Sequence, residues 1–215
     1  MGSRQGGQAV VSQPVVILVS GYARAGKDTL ADAIITLVKR HHPCGVAGKH
    51  PFAKSLKDAA DEFLAHLNLF PDAKAGFFHD EDFKKKHRQA LVEMGRVARS
   101  IDIDVFATKT AYDIDDNYVS DCIDSEGPHI YVIPDWRYLN EFKVITDNLS
   151  LSDFRVVTVR VDTEGVLPAN QEELESLAQI RREMALDYEF NFPQNGQDSI
   201  DRAARDICFM LGLLP

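Results

Sequence analysis

Cysteine is scarce in this sequence: three residues, Cys44, Cys122 and Cys208, are scattered over 215 positions. So few thiols exclude a disulfide framework, and none has the CxxC spacing of a metal site; buried thiols in a reducing cytoplasm are the expectation. Long apolar runs are missing too. None approaches the roughly 20 residues that span a bilayer, so a soluble protein with no membrane partner is expected. Residues 1–13 are rich in Gly, Gln and Ser and lack the apolar core of a secretory signal, which predicts a disordered tail and no export. Positive charge is in deficit: Lys+Arg 24 against Asp+Glu 33 gives a net charge of −9. Such an acidic surface disfavours nucleic acid as a partner unless a local basic groove overcomes it. Internal repeats, low-complexity tracts and composition breaks are also lacking, so residues 14–215 are read as one domain.

What is present is ordinary globular material, 45% hydrophobic and 27% charged. Residues 14–20 (PVVILVS) form a short, continuous apolar run rich in β-branched side chains, the pattern of a strand buried on both faces of a parallel sheet. Leu30, Ala33, Ile34, Leu37 and Val38 then recur at helical spacing, until Pro43 and Gly45 mark a stop. Two further buried strands are read at residues 129–134 (HIYVIP) and 154–161 (FRVVTVRV), each followed by a polar segment and a helical pattern. Between them and the first helix the chain reads as mostly helical, over 52–69, 84–101 and 105–124, an insertion of about 52–125. Ile200, Ala203, Ala204, Ile207 and Leu211 predict a C-terminal helix covering one sheet face. Strands alternating with helices predict an α/β fold with a parallel central sheet.

The segment joining the first strand to the first helix, GYARAGKDT at 21–29, fits GxxxxGK. Glycines at both ends let main-chain N–H groups converge on phosphate oxygens, and the helix N-terminus adds a favourable dipole. Gly21, Ala23, Arg24, Ala25, Gly26, Lys27, Asp28 and Thr29 are thus the candidate triphosphate site, with Lys27 neutralising the outer phosphates. The expected fold is a three-layer α/β/α P-loop NTPase. Asp28 stands where a hydroxyl usually contacts magnesium, and the hydroxyl moves to Thr29; a water-mediated metal contact from Asp28 and a direct one from Thr29 both stay open.

In the second helix of the insertion, Arg88, Gly95 and Arg99 fall on one face, because steps of seven and eleven residues nearly complete whole turns. Two readings fit: an anion site in which Gly95 admits a ligand between two guanidinium groups, or a solvated face with Gly95 allowing close helix packing. Asp135, just past HIYVIP, falls at the carboxyl edge of the sheet, where it can serve the metal or an acceptor. Arg137 follows as a bidentate fork for an acceptor phosphate. Trp136 between them fits either a base or packing against the sheet. His41, His42 and His50 around Cys44 have no metal-ligand spacing.

With these residues the chain resembles the phage-type deoxynucleoside monophosphate kinases, relatives of the nucleoside monophosphate and dephospho-CoA kinases. The likeness lies in GKDT (26–29), FAKSLK (52–57), the Arg-rich, Gly-containing helix at 88–99, and DWRYLNE (135–141). DYEFN (187–191) with Asn195 and Gly196 is similar to the strand and loop that close around the donor base. The resemblance implies ATP and Mg2+ on residues 21–29. It implies a deoxynucleoside monophosphate held by Lys57, Arg88, Gly95, Arg99 and Arg137, with Asp135, Asn140 and Glu141 shaping the acceptor side. It also implies small-molecule nucleotides as partners and, for a phage-encoded chain, the host cytoplasm as location. The stretch 162–182 departs from the family's lid pattern; Arg160, Arg181 and Arg182 are the candidate lid arginines.

Other acceptors, dephospho-CoA or a modified base in DNA, belong to the same fold. A GTP-dependent switch is the rival outside the kinases, on the DxxG match at 162–165, although no guanine-reading NKxD segment occurs. Which monophosphates are accepted depends on residues distant in sequence. Oligomeric state, a homodimer included, is not legible in the sequence.

Overall fold

The computed structural model describes residues 13–68 and 76–214. The tail expected over 1–13 therefore lies outside the described residues but for Gln13. Five parallel strands form one sheet: β1 (Val15–Ser20), β2 (Val46–Lys49), β3 (His129–Trp136), β4 (Arg155–Thr163) and β5 (Tyr188–Phe192), in the order β2-β3-β1-β4-β5. The strands read from their apolar runs, β1, β3 and β4, are the three central ones. The edge strands are the short ones, and β2 (VAGK) carries too few apolar residues to announce itself.

Helices cover both faces. Val15, Ile17 and Val19 of β1 pack with α1 (Lys27–His41) and α8 (Gln197–Met210). Val16 and Leu18 face the other way, onto α5 (Val105–Asp124), α6 (Leu139–Leu149) and α7 (Gln171–Glu183). The period-2 alternation of a strand sends its side chains to opposite faces, so an unbroken apolar β1 requires a layer on each side. Three layers result, as the sequence predicts.

The stretch 52–125 leaves the sheet between β2 and β3. It holds α2 (Phe52–His66), a 3-10 turn (Phe77–His79), α3 (Glu81–Lys86), α4 (Arg88–Ile101) and α5. The single helix expected over 84–101 is broken at His87, whose φ of −112° and ψ of 19° leave helical space. Asp80 accepts the Phe83 N–H at 2.8 Å and starts α3 early, and the Phe83 ring packs at 5.4 Å from that of Phe78. The chain therefore enters the expected segment through a separate short helix rather than a single continuous one.

Two features at the carboxyl end of β1 shape everything above it. Gly21 has φ +146°, and a Cβ there would lie 2.2 Å from the Val161 carbonyl oxygen. Beside it, β3 runs three residues, from Ile133 to Trp136, against two of β1, from Leu18 to Ser20. Pro134 sits in that step and has no N–H for the ladder, so the strand bulges, and a bulge re-aims the next side chain, here Asp135. The connection leaving β1 runs towards β2 and the one leaving its neighbour β4 runs the opposite way, towards β5, so a crevice opens at this edge.

Gly21→Ala is expected to lower stability by about 2 kcal/mol or more, since both φ and the close carbonyl must yield. Urea unfolding followed by Trp136 fluorescence reads it; an unchanged midpoint would show that the loop relaxes freely.

Candidate functional site

The loop of residues 21–26 lies in that crevice, closed by Gly26, which caps α1 in the left-handed region at φ 85°. Lys27 opens α1 and folds back under the loop, its Nζ donating to the carbonyl oxygens of Gly21 at 2.7 Å and Tyr22 at 2.6 Å. It is 8% exposed. Burial, and after it the neighbouring Arg137 charge, pull the Lys27 pKa down to about 8, while Glu173, Asp28 and Asp135 oppose the shift. The loop lysine and Arg137 of the DWRYLNE segment, 110 positions apart (137 − 27), are therefore electrostatic neighbours.

Asp135 does not face an open site. Its two carboxylate oxygens accept the N–H groups of Phe52 and Ala53, both at 2.9 Å. The start of α2 has only Pro51 at its own cap position and no side-chain cap from the local sequence; the bulged β3 supplies one. Burial raises the Asp135 pKa, against the lowering effect of the two amides and Arg137. Glu141, 5% exposed, repeats the device one loop later, accepting the Arg137 N–H at 2.8 Å and the Tyr138 N–H at 3.0 Å. Burial pushes its pKa up to about 7. Asn140 donates to the Asp104 carboxylate at 2.9 Å and ties the same loop to the start of α5. Trp136 is fully buried and donates to the Tyr138 carbonyl at 2.8 Å, so it packs rather than meeting a base.

Arg99 lies over two aromatic rings, Phe106 at 5.1 Å and Tyr138 at 5.5 Å, which brings the end of α4 to the DWRYLNE loop. Arg88 starts the same helix and is exposed. At 1.5 Å per residue the two are roughly 16 Å apart along the axis, so they meet different parts of a ligand. Gly95 is buried, and a Cβ there would stand 2.9 Å from Leu56 Cδ2 of α2. Close packing of α4 on α2 is therefore what Gly95 provides, the second of its two sequence readings. Lys57 is half-buried on α2.

The three candidate lid arginines are not gathered over the loop. Arg160 is a buried β4 residue paired with Asp162 at 2.9 Å and lying 5.5 Å over the Tyr22 ring. Arg181 and Arg182, at the far end of α7, pair with Glu189 at 3.3 Å and Glu183 at 3.1 Å. Besides Arg160, two residues of the stretch 162–182 reach the loop: Thr163, whose hydroxyl donates to the Ala25 carbonyl at 3.0 Å, and Glu173, in the first turn of α7. Its side chain is 1% exposed, accepts the Ala23 N–H at 3.1 Å and the Ala169 N–H at 2.7 Å, and stands 3.4 Å from Arg137. In the sequence, Asn170 followed three residues later by Glu173 carries the signature of a helix start and nothing more.

Oxygen donors for a hard cation are the Asp28 carboxylate, 77% exposed and 3.8 Å from Lys49, and the half-buried Thr29 hydroxyl. This pair fits Mg2+ held by one or two protein oxygens with substrate phosphates and water completing the shell. Asp135, with both oxygens turned to α2, is not part of that set. Among the described residues no cluster of three His, Cys, Asp or Glu side chains forms a metal cage, and no helix is long and apolar enough to cross a membrane. Two of the molecule's cavities lie along α1 and beside α7. One of about 360 Å³ lies between Thr29, Asp32 and Thr36 of α1 and Gln197, Asp201 and Arg205 of α8. Another, about 550 Å³, is lined by Tyr138 and by Glu172, Glu175, Ser176 and Gln179 of α7, where the Tyr138 hydroxyl donates to the Glu172 carboxylate.

No protein-family model matches the sequence, and no curated protein does. Among solved structures, the chain is similar to the Mycobacterium tuberculosis APS kinase. A Cys556Ala mutant matches at 11% identity and a TM-score of 0.43, and a complex with AMPPNP and APS at 12% and 0.44. Each match covers 94% of this chain and 99% of the other. A protein of Chloroflexus aurantiacus provisionally named a kinase matches at 12% identity and a TM-score of 0.46, over 94% of this chain and 97% of its own. Similarities of this size leave the fold to be read from the sheet order and loop of this chain itself.

The Glu141 pKa of about 7 lies above the 4.5 of an ordinary glutamate. The folded state therefore holds its proton more tightly, and the stability this contributes, complete below about pH 4.5, is lost as pH rises to about 7. Glu141→Gln is expected to flatten that decline by on the order of 3 kcal/mol, leaving the part that the raised Asp135 pKa contributes in the same direction. Urea titrations of both proteins at about pH 5 and pH 7.5 check it; parallel slopes would refute it.

Proposed function

We propose that this chain transfers the terminal phosphoryl group of ATP, with magnesium, to the phosphate of a deoxynucleoside monophosphate, giving the diphosphate. The observation that carries the reading is the convergence of Lys27 and Arg137, two cations from separate motifs, at one end of the phosphate-type loop. In-line transfer between two phosphates crowds negative oxygens together and needs positioning and neutralisation more than covalent chemistry.

In this reading the loop amides and Lys27 hold the donor phosphates, and Arg137 takes the acceptor phosphate. Asp28 and Thr29 would hold the magnesium ion, which would supply positive charge against the donor phosphate oxygens. Arg99, poised on the Tyr138 ring, Arg88 and Lys57 draw in the acceptor nucleotide from α4 and α2. Asp135, Asn140 and Glu141 act as scaffold, since their polar atoms are engaged with the chain itself. No general base is required, because the attacking acceptor phosphate is already an anion.

Labelled ATP with magnesium and each of the common deoxynucleoside monophosphates, with dephospho-CoA alongside, tests the reading; a labelled diphosphate is expected, and transfer to none of the monophosphates overturns it. Lys27→Ala should lower kcat by roughly a hundredfold or more, and Arg137→Ala should chiefly raise the KM for the acceptor. Because Lys27 attracts phosphate only when charged, affinity for AMPPNP should be level below pH 8 and fall as pH rises through about 8. Isothermal titration across that range would reveal a level profile if another group held the phosphates.

A further inference from the structure

Glu173 is placed where a catalytic reading of the sequence has no use for a carboxylate. One of its oxygens, Oε1, accepts the N–H of Ala23 in the loop at 3.1 Å and lies 3.4 Å from Arg137 Nη2. Its other oxygen, Oε2, accepts the N–H of Ala169 at 2.7 Å. The first oxygen thus unites one loop amide and one guanidinium, the same kinds of donor that a phosphoryl oxygen would need at this edge. Charge supports the same picture: Lys27 and Arg137 repel each other across the loop, and Glu173 is the first among the carboxylates that offset this at Lys27. With a side chain 1% exposed, its charge is poorly screened by water.

We propose that Glu173 is a positioning residue that acts through Arg137. Its carboxylate is the resident counter-ion that holds the guanidinium against the loop, and it hands that guanidinium to a phosphoryl group when the nucleotide arrives. The proposal rests on the phosphate-binding reading of the loop given above. The exchange moves one ion pair only, since Glu173 keeps its Ala169 contact and its place three residues after the capping Asn170, whose side chain accepts the Glu173 N–H at 2.8 Å. Oriented in advance, Arg137 loses less conformational freedom on meeting its phosphate.

A double-mutant cycle separates this handover from plain charge repulsion. The probe is adenosine 5′-tetraphosphate, whose fourth phosphate extends beyond the position of the ATP terminus towards the acceptor side, and the readout is its Kd by calorimetry. If binding must break the Glu173–Arg137 pair, Glu173→Gln relieves that cost only where Arg137 is present. The tightening caused by Glu173→Gln should then be at least about fivefold greater in the wild-type background than in Arg137→Ala. Equal tightening in both backgrounds means that Glu173 repels phosphate independently of Arg137, and it overturns the proposal. Weakening confined to the wild-type background, the sign of a pair that stays intact in the complex, overturns it as well. Should the Gln variant fail to fold, because its amide group faces the Ala169 N–H, Glu173→Asp in both backgrounds gives the same cycle with the carboxylate withdrawn by one methylene. Turnover plays no part in the readout, so a lack of kinase activity would defeat the proposed reaction and leave this coupling to stand or fall by itself.

Discussion

Buried carboxylates that accept main-chain N–H groups are the interaction on which the site depends. Asp135 receives two amides of α2, Glu141 two amides of its own loop, and Glu173 one amide of the phosphate-type loop and one of the turn before α7. The two Asp135 bonds and the Glu173 bond to Ala23 join segments far apart in sequence, whereas the Glu141 bonds and the Glu173 bond to Ala169 shape the loops next to them. Burial disfavours the charged form, and the amides favour it. The balance leaves Asp135 and Glu141 with raised pKa values, yet their oxygens remain committed to the backbone. Structural use of these acids also reconciles a chain of net charge −9 with the anion site proposed for it. Asp135, Glu141 and Glu173 are turned towards main-chain donors and Asp28 stays exposed, while Lys27 and Arg137 are electrostatic neighbours and Arg99 lies over Tyr138 of the same loop as Arg137.

Backbone geometry makes this arrangement reachable. The close approach of Gly21 to the Val161 carbonyl lets the loop lie flat on the ends of β1 and β4, where any side chain would lift it. The bulge at Pro134 turns Asp135 towards α2, and so the insertion is hinged to the sheet by hydrogen bonds as well as by chain connectivity. Gly95 does similar work inside the insertion, letting α4 rest on Leu56. Arg99 is consequently delivered to the rim beside Tyr138, whereas Arg88, at the other end of the helix, is not.

The sequence by itself determined the central strands, the loop and the helices that follow it, because these rest on local chemistry. A continuous β-branched run can only be a buried strand here, and glycines at both ends of GYARAGK permit backbone angles closed to other residues. The helix period likewise shows at α1 and α8. Short β2 escaped notice because pairing with β3, not its own composition, makes it a strand. The break at His87 is not legible because it is a change of backbone angle between α3 and α4 that no Gly or Pro announces. Candidate residues could be named from motifs, but their roles could not. Whether Asp135 faces a metal or caps a helix, whether Gly95 meets a ligand or a leucine, and whether Trp136 is buried were decided only in three dimensions. Glu173 illustrates the reason: its local pattern says helix start, and its contacts with Ala23 and Arg137 exist only once α7 is laid across the sheet edge. Periodicity and backbone preference act between near neighbours in the chain, whereas a carboxylate chooses its donors by distance in space.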